Sequence, residues 1–224
     1  MAYANFSTAN YIRGSFGAAA VPKTIAAWVR LPTIAALHTV VDLHNSGAAL
    51  DRNSFKLEIS ASGLIRAVAA DGSAATPASS ATTMVANTWH HACAVFTSAT
   101  SRAAYLDGGN KGTNTTSRTP SSINQITLGC ENGSSKGNPF GGWLYGVSIW
   151  DAALTDADVA SLAGGASPLQ IRPDVLTHHF PMLGVVAANL GNVVAPGGLL
   201  TVTGSVSTNS ESYKQASSRG AQKA

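Results

Sequence analysis

Charged residues are scarce in this sequence: Asp, Glu, Lys and Arg make up 11% of its 224 residues, against roughly a quarter in an average globular protein. This composition excludes a charge-rich disordered chain and a coiled coil. Pro, Gly, Ser and Thr interrupt every apolar run before it reaches the ~20 residues of a membrane-spanning helix. The sequence also lacks a basic stripe with interleaved aromatic residues, so neither a membrane nor a nucleic acid is an expected partner.

Cysteine is almost absent as well. Cys93 and Cys130 are the two cysteines, and their spacing fits neither a zinc knuckle nor a redox C-x-x-C pair. We expect both to be buried thiols rather than a disulfide. Residues 1–6 lack the basic and apolar regions of a secretory signal, which predicts a protein made and kept in a reducing cytoplasm.

The histidines do not form a recognisable metal motif. Four of them occur as adjacent pairs, His90-His91 and His178-His179, and His38 and His44 are isolated. Adjacent residues on a strand point to opposite faces, so neither pair can chelate one ion. We expect one packed and one solvated histidine in each pair.

Catalytic patterns are missing too. Glycosidases need two carboxyl groups close together, and no two Asp or Glu residues alternate along a predicted strand here. The segment from Gly129 to Gly133 does not centre its cysteine as a nucleophile elbow would, and the segment from Gly133 to Gly137 lacks the spacing of a phosphate loop. The sequence therefore predicts no catalytic residue and no cofactor.

Short runs of β-forming residues alternate with turn residues, which is typical of an antiparallel sandwich. The predicted strands are 11–13, 24–30, 39–43, 55–60, 64–69, 89–97, 101–106, 125–130, 143–150, 176–180 and 200–203. Alternation within 89–97 places Trp89, His91, Cys93 and Val95 on one face and His90, Ala92, Ala94 and Phe96 on the other. One short helix is predicted after Thr155, ending at Gly164 in a left-handed conformation.

Three segments, taken in order, resemble the laminin-G-like, concanavalin A-like jelly-roll domains. Residues 140–159, FGGWLYGVSIWDAALTDADV, are similar to the family pattern F-x-G-x-I-D-E-V-x-I-Y-N-x-A-L-S-x-x-E-I. The stretch NTWHH at 87–91 with YLDG at 105–108 resembles the family's W-H-H strand and Y-x-D-G hairpin, and KTIAAWVR at 23–30 resembles its F-T-I-S-A-W-V strand. The resemblance implies an all-β sandwich of two stacked antiparallel sheets, one concave, over residues 1–204.

The chain departs from the family pattern at three positions within residues 140–159. Tyr145 and Gly146 stand where Asp-Glu is common, and Ser148 stands where Arg is common. Any ionic arrangement that depends on those charges is therefore not expected. The resemblance also implies that four aromatic residues pack in the core or at the rim: Trp28, Trp89, Phe140 and Trp150.

Some relatives bind calcium at the sandwich rim through Asp and carbonyl oxygens. Asp42, Asp71 and Asp107 are the corresponding candidates here, because each is predicted at or beside a turn. A solvated turn aspartate explains each of them without an ion, so no metal is predicted.

The resemblance implies binding rather than catalysis. Trp143, which follows a glycine pair, is the candidate sugar-stacking residue. His44, Asn45 and Asn132 are further candidates, since they lie on predicted loops or rims.

Stand-alone domains of this kind resemble tailed-phage virion proteins. We therefore expect a virion component, which is a head decoration protein, a minor capsid protein or a tail-associated protein. Its expected partners are further copies of itself and a larger capsid or tail assembly. Its lectin-like face is expected to contact host glycans. The polar tail 205–224 has almost nothing to bury, so a partner surface is expected to order it through Tyr213, Lys214, Arg219 and Lys223. A soluble carbohydrate-binding module is the alternative, and a polysaccharide-degrading enzyme is third because paired acids are missing.

Overall fold

The computed structural model describes residues 2–47, 53–72, 75–131, 137–182, 189–191, 199–203 and 207–210. Within these residues the chain forms two antiparallel β-sheets and one α-helix, so the predicted all-β jelly-roll sandwich is confirmed. In this part of the chain no helix is long and apolar enough to cross a membrane.

The strands follow one another along the chain with short connections. They are β1 (Ala2–Asn5), β2 (Tyr11–Ala19), β3 (Lys23–Arg30), β4 (His38–His44), β5 (Ser54–Ile59), β6 (Leu64–Ala70), β7 (Ala75–Thr83), β8 (His90–Ser98), β9 (Ser101–Leu106), β10 (Gly109–Asn114), β11 (Ile123–Leu128), β12 (Trp143–Trp150), β13 (Leu176–Phe180), β14 (Asn189–Gly191), β15 (Leu199–Thr203) and β16 (Ser207–Ser210). The first sheet has the order β10-β9-β8-β3-β12-β1-β16, with β13 also paired to β12. The second has the order β14-β15-β2-β11-β4-β5-β6-β7.

Each predicted strand overlaps an observed one, and the prediction missed β1, β7, β10, β14 and β16. β7 and β10 are edge strands built mainly from small and polar residues, which leave little hydrophobic periodicity to detect. β16 lies within the predicted tail, where it pairs with β1.

The side chains between the two sheets form the main core, which we call the inter-sheet core. β8 shows how one strand serves two layers. Ala92, Ala94 and Phe96 belong to the inter-sheet core. Cys93 and Val95 point the other way, into a second cluster under the helix, which confirms the predicted faces. This helix-side cluster comprises Ala26, Cys93, Val95, Ala103, Tyr105, Trp150, Leu154, Val159, Leu162 and Leu176.

The helix α1 (Asp156–Ala163) covers part of the outer face of the first sheet. The Asp158 N–H donates to Thr155 Oγ1 at 3.2 Å, and the Thr155 N–H donates to Asp158 Oδ2 at 3.0 Å, so the predicted cap is a complete capping box. The predicted left-handed stop at Gly164 is wrong. Gly164 keeps a right-handed φ of −72°, and Gly165, at φ +94°, makes the left-handed turn.

Both cysteines are buried and not joined in a disulfide. Cys93 lies in the helix-side cluster, where burial raises the pKa of its thiol. Cys130 lies two residues after β11, an interior strand of the second sheet. The prediction of buried thiols is therefore confirmed.

The expectation of one packed and one solvated histidine per pair is wrong for the first pair. His90 and His91 are both buried, because both faces of the first sheet are covered at this point. The Val85 N–H donates to His90 Nε2 at 3.0 Å, so Nδ1–H of His90 donates to Asp107 Oδ2 at 2.7 Å. The second pair fits the expectation in part, since His179 is buried and His178 is half-buried.

Candidate functional site

Strand register brings three ring side chains into one row on the outer face of the first sheet. Trp28 on β3 lies opposite His91 on β8 and opposite Tyr145 on β12. The rings of Trp28 and His91 pack edge-on, with centroids 5.4 Å apart. Trp28 and Tyr145 are half-buried, so part of each ring remains accessible.

A second row lies two residues before Trp28 on β3. Ala26 is opposite Ser148 on β12, and Ser148 is opposite His179 on β13. The small side chain of Ala26 leaves room above the sheet between the bulkier residues on either side.

A β-bulge on β12 aligns the two rows. Two residues lie between Tyr145 and Ser148 on β12, while only one lies between their partners Trp28 and Ala26 on β3. Gly146 lies within the bulge at φ +61°, a conformation that glycine adopts without strain. The bulge keeps Tyr145 and Ser148 on the same face, although two residues separate them.

These rows form the floor of a pocket of about 190 Å³, which we call the helix-side pocket. Leu162 of α1 and residues 165–168 form the opposite wall. Trp150 Nε1 donates to the Ile171 carbonyl at 2.7 Å and so holds the segment after α1 against the sheet. The floor residues are Ala26, Trp28, His91, Tyr145, Gly146, Ser148, Trp150 and His179.

Ser148 and His179 hydrogen-bond to one another in this pocket. The Ser148 hydroxyl donates to the Gly146 carbonyl at 3.0 Å, and 2.8 Å separates its oxygen from His179 Nδ1. Because the hydroxyl has a single proton, Nδ1–H of His179 is the donor in the second bond. Burial lowers the pKa of His179, while a hydrogen bond with the Val147 backbone opposes that shift. The lowered pKa keeps His179 uncharged at neutral pH.

His91 is different, because its Nδ1 is buried and, within the described part of the chain, has no hydrogen-bond partner. The residue is 2% exposed. Burial lowers the pKa of its ring to about 4, and the nearby Asp107 carboxylate opposes the shift. The ring is thus uncharged at neutral pH and retains unused hydrogen-bonding capacity.

Trp143, the predicted stacking residue, lies beside the pocket rather than in it. It is two residues before Tyr145 on the same face of β12 and opposite Arg30 on β3. The Arg30 guanidinium carbon lies 4.8 Å from the Trp143 ring centroid, a cation–π contact that covers one face of the indole.

His44 and Asn45, the other predicted ligand-binding residues that the structure describes, do not join Trp143. His44 is the last residue of β4 in the second sheet, is buried, and contacts Gln125 Oε1 through Nε2 at 2.9 Å. The Gly47 N–H donates to the Asn45 side chain at 2.9 Å, so Asn45 stabilises its own turn. Asn132 lies outside the described residues. So do the four predicted docking residues of the tail, which are Tyr213, Lys214, Arg219 and Lys223.

The outer face of the second sheet carries buried charges. We call it the charged face, and it comprises Asp42, His44, Lys56, Glu58, Arg66 and Glu131. The Lys56 ammonium contacts the Glu131 carboxylate and lies 3.8 Å from Glu58 Oε1. Arg66 Nη1 lies 3.7 Å from the second oxygen of Glu58. Pairing across strands brought these acids together, which the search along single strands missed.

The predicted calcium candidates are engaged with protein groups. Asp42 was predicted at or beside a turn, and this prediction is wrong. It is buried within β4, and its carboxylate lies 3.5 Å from His44 Nδ1. The Thr119 N–H donates to Asp71 Oδ2 at 3.2 Å, and Asp107 accepts from His90. No group of three or more potential metal ligands occurs among the residues that the structure describes.

A family model described as the concanavalin A-like lectin/glucanases superfamily matches residues 4–160. The chain belongs to this superfamily. The match confirms the laminin-G-like, concanavalin A-like resemblance. A search of curated proteins found no match.

Solved structures similar to this superfamily member support the fold. A Bacteroides ovatus protein assigned to carbohydrate binding has 16% identity and a TM-score of 0.67, over 93% of this chain and 59% of that one. Domain 4 of AbnA, a GH43 extracellular arabinanase from Geobacillus stearothermophilus in complex with arabinotriose, has 16% identity and a TM-score of 0.58, over 72% and 76%. The CBM40 of the Ruminococcus gnavus IT-sialidase, bound to α2,3-sialyllactose, has 13% identity and a TM-score of 0.55, over 65% and 84%.

The departures from the family pattern all line the helix-side pocket. Tyr145, Gly146 and Ser148 are part of its floor. The sequence signalled the unusual residues, but it did not indicate that Trp28 and His91 would lie beside them, because those contacts depend on pairing between distant strands.

Proposed function

We propose that this chain is a non-catalytic, lectin-like module that binds carbohydrate in the helix-side pocket. The observation that carries the proposal is the pocket itself, in which two half-buried aromatic rings, Trp28 and Tyr145, lie beside the neutral polar groups of His91, Ser148 and His179. Sugars have apolar C–H faces that stack on aromatic rings and hydroxyls that hydrogen-bond to polar groups. The pocket offers both kinds of contact.

The solved relatives support the same class of ligand. Of the similar structures above, one protein is assigned to carbohydrate binding and two domains are in complex with oligosaccharides. At this level of identity they share the fold with this chain, so the ligand assignment rests on the pocket residues.

The charged face supports a binding module over a hydrolase. Retaining glycosidases use a carboxyl pair about 5–5.5 Å apart, one group of which donates a proton. Glu58 and Glu131 are near one another but both are buried, and the Lys56 ammonium contacts both. A carboxylate beside an ammonium stays ionised and is a poor proton donor.

The test is glycan binding by the purified protein, first on a glycan array and then by calorimetry. We expect Trp28→Ala to weaken binding by about tenfold or more, equivalent to about 1.4 kcal/mol. The matched control is Trp89→Ala, because Trp89 is also half-buried but does not line the pocket and packs on Tyr3, with ring centroids 5.5 Å apart. Absence of glycan binding, or equal losses in the two variants, would overturn the proposal. Release of reducing sugar from a polysaccharide would overturn the non-catalytic part.

The virion role and the docking of the tail stay predictions from the resemblance. If the chain is a virion component, purified particles contain it in fixed stoichiometry, and the part of its tail after β16, residues 211–224, resists proteolysis there but not in the isolated protein. If the protein is absent from particles but binds glycans, the virion role is wrong and the soluble carbohydrate-binding module is supported.

A further inference from the structure

We propose that the helix-side pocket takes one uncharged six-membered sugar ring, that it selects against acidic sugars, and that the His91 imidazole hydrogen-bonds a hydroxyl of the bound ring. The inference rests on the proposed function, because it names the ligand class of the same pocket.

The size of the pocket sets the first limit. A cavity of about 150 Å³ is enough to hold one benzene ring. The helix-side pocket, at about 190 Å³, is slightly larger, which suits a six-membered ring with its hydroxyls but not two linked sugars. Any further sugar of a chain would lie outside, on the side of Trp143.

The charge of the pocket sets the second limit. Among the residues that the structure describes, no Lys, Arg, Asp or Glu lines the pocket. Lys23 lies on the opposite face of β3, where its ammonium contacts Asp151, and the Arg30 guanidinium lies over Trp143. A carboxylate in the pocket would therefore lose its hydration without gaining a cationic partner, and such burial is costly.

The polar groups set the third limit. Ser148 and His179 hydrogen-bond to one another. His91 lines the same pocket, and its buried Nδ1 lacks a hydrogen-bond partner in the described part of the chain. Nδ1 has almost no accessible surface, so the nitrogen that meets a ligand in the pocket would be the other one, Nε2. A sugar hydroxyl can donate and accept, so it suits a neutral imidazole in either tautomer.

The first experiment compares pairs of sugars that differ in charge but not in ring shape. Methyl glucoside and methyl galactoside are titrated beside the corresponding glucuronic and galacturonic acids at about neutral pH, where the uronic acids are ionised. We expect at least one neutral sugar to bind about tenfold or more tightly than its acid. Equal or tighter binding of the acids would overturn the inference while leaving the proposed function in place. Failure of every sugar to bind would instead count against the proposed function.

The second experiment tests His91. We expect His91→Phe, which keeps an aromatic ring but removes both nitrogens, to weaken binding of the neutral sugar by about tenfold or more. It should not lower the urea midpoint of unfolding, because it removes a polar atom that is buried without a partner. His91→Gln, which can hydrogen-bond, should retain part of the affinity.

Singly deoxygenated sugars identify the hydroxyl. One deoxy position should weaken binding to the wild-type protein and have little effect on His91→Phe, since the two changes remove the same hydrogen bond. If the losses simply add at every position, His91 does not contact a hydroxyl and that part of the inference is wrong.

Discussion

Each sheet has an outer face that is largely buried, yet the residues on the two faces differ in kind. The first sheet presents aromatic and neutral groups beneath α1, among them Trp28, His91 and Tyr145. The second presents the charged face, where Lys56 lies near both Glu58 and Glu131. Both faces come from the alternate residues of strands whose other residues fill one shared inter-sheet core.

The comparison shows two ways of burying polar atoms. On the charged face the buried ions compensate one another, so they hold the structure and leave little capacity for a ligand. On the first sheet the helix-side pocket leaves an open volume whose described lining carries no charged residue. The neutral face is therefore the better candidate for binding, although the charged face has more of the residue types usually associated with catalysis.

The largest expected effect is on the charged face. Lys56→Met removes the ammonium that compensates Glu58 and Glu131, and loss of one partner of a buried ionic group costs about 3–5 kcal/mol. Urea unfolding of wild type and variant measures the change. The matched control is Lys111→Met, because Lys111 pairs with Asp156 in solvent and such pairs contribute about 1 kcal/mol or less. Similar losses in the two variants would contradict the view that buried pairing stabilises the charged face.

The second effect is acid sensitivity of the first sheet's outer face. The pKa of His91 falls from 6.5 to about 4 on folding, mainly because of burial. The unfolded chain therefore binds a proton near pH 6.5 while the folded protein does not, so the free energy of unfolding decreases as the pH drops from 6.5 to about 4. We expect His91 to contribute on the order of 3 kcal/mol to this decrease, at about 1.4 kcal/mol per pH unit.

Urea unfolding between about pH 7 and about pH 4, on wild type and on His91→Gln, isolates this contribution. His178 and His179, whose pKa values burial also lowers, are present in both proteins and cancel in the difference. The variant should lose less stability in acid than the wild type. Parallel pH profiles would show that His91 is not kept neutral by the fold.

The smallest effect concerns the wall of the helix-side pocket. Thr155→Ala removes the hydroxyl that accepts the Asp158 N–H at the start of α1, which should lower the free energy of unfolding by about 1 kcal/mol. Thr115→Ala, at an exposed position, is the control and should change it by less than about 0.5 kcal/mol. Indistinguishable urea midpoints would mean that the capping box contributes nothing measurable to the folded state.

Alternation and capping were sufficient to predict much of the fold. The run 89–97 showed by itself that Cys93 and Phe96 face different layers, and Thr155 marked the start of α1. Edge strands such as β7 were missed because backbone pairing to β6, rather than a hydrophobic pattern, holds their small and polar residues in place. Gly164 was assigned the left-handed turn that Gly165 makes, since two adjacent glycines are equivalent in sequence.

The candidate site was less predictable than the fold. Trp143 was expected to stack on a sugar, and it lies on the same face as the helix-side pocket but one row outside it, beneath Arg30. His44 was expected on an accessible rim and is instead buried in the second sheet. Exposure of a side chain depends on which layer covers its strand, and residue type does not reveal that.

The amino-acid sequence by itself determined the two-layer β architecture, the capped helix and the family, because these depend on local alternation, turn residues and motifs read along the chain. The tertiary structure decided the site. Trp28, His91, Tyr145 and His179 come from four different strands, and the register of β3, β8, β12 and β13, with a bulge at Gly146, places them around one cavity. Register is set by cooperative packing of the whole sheet, so contacts between distant strands are not written in any one segment.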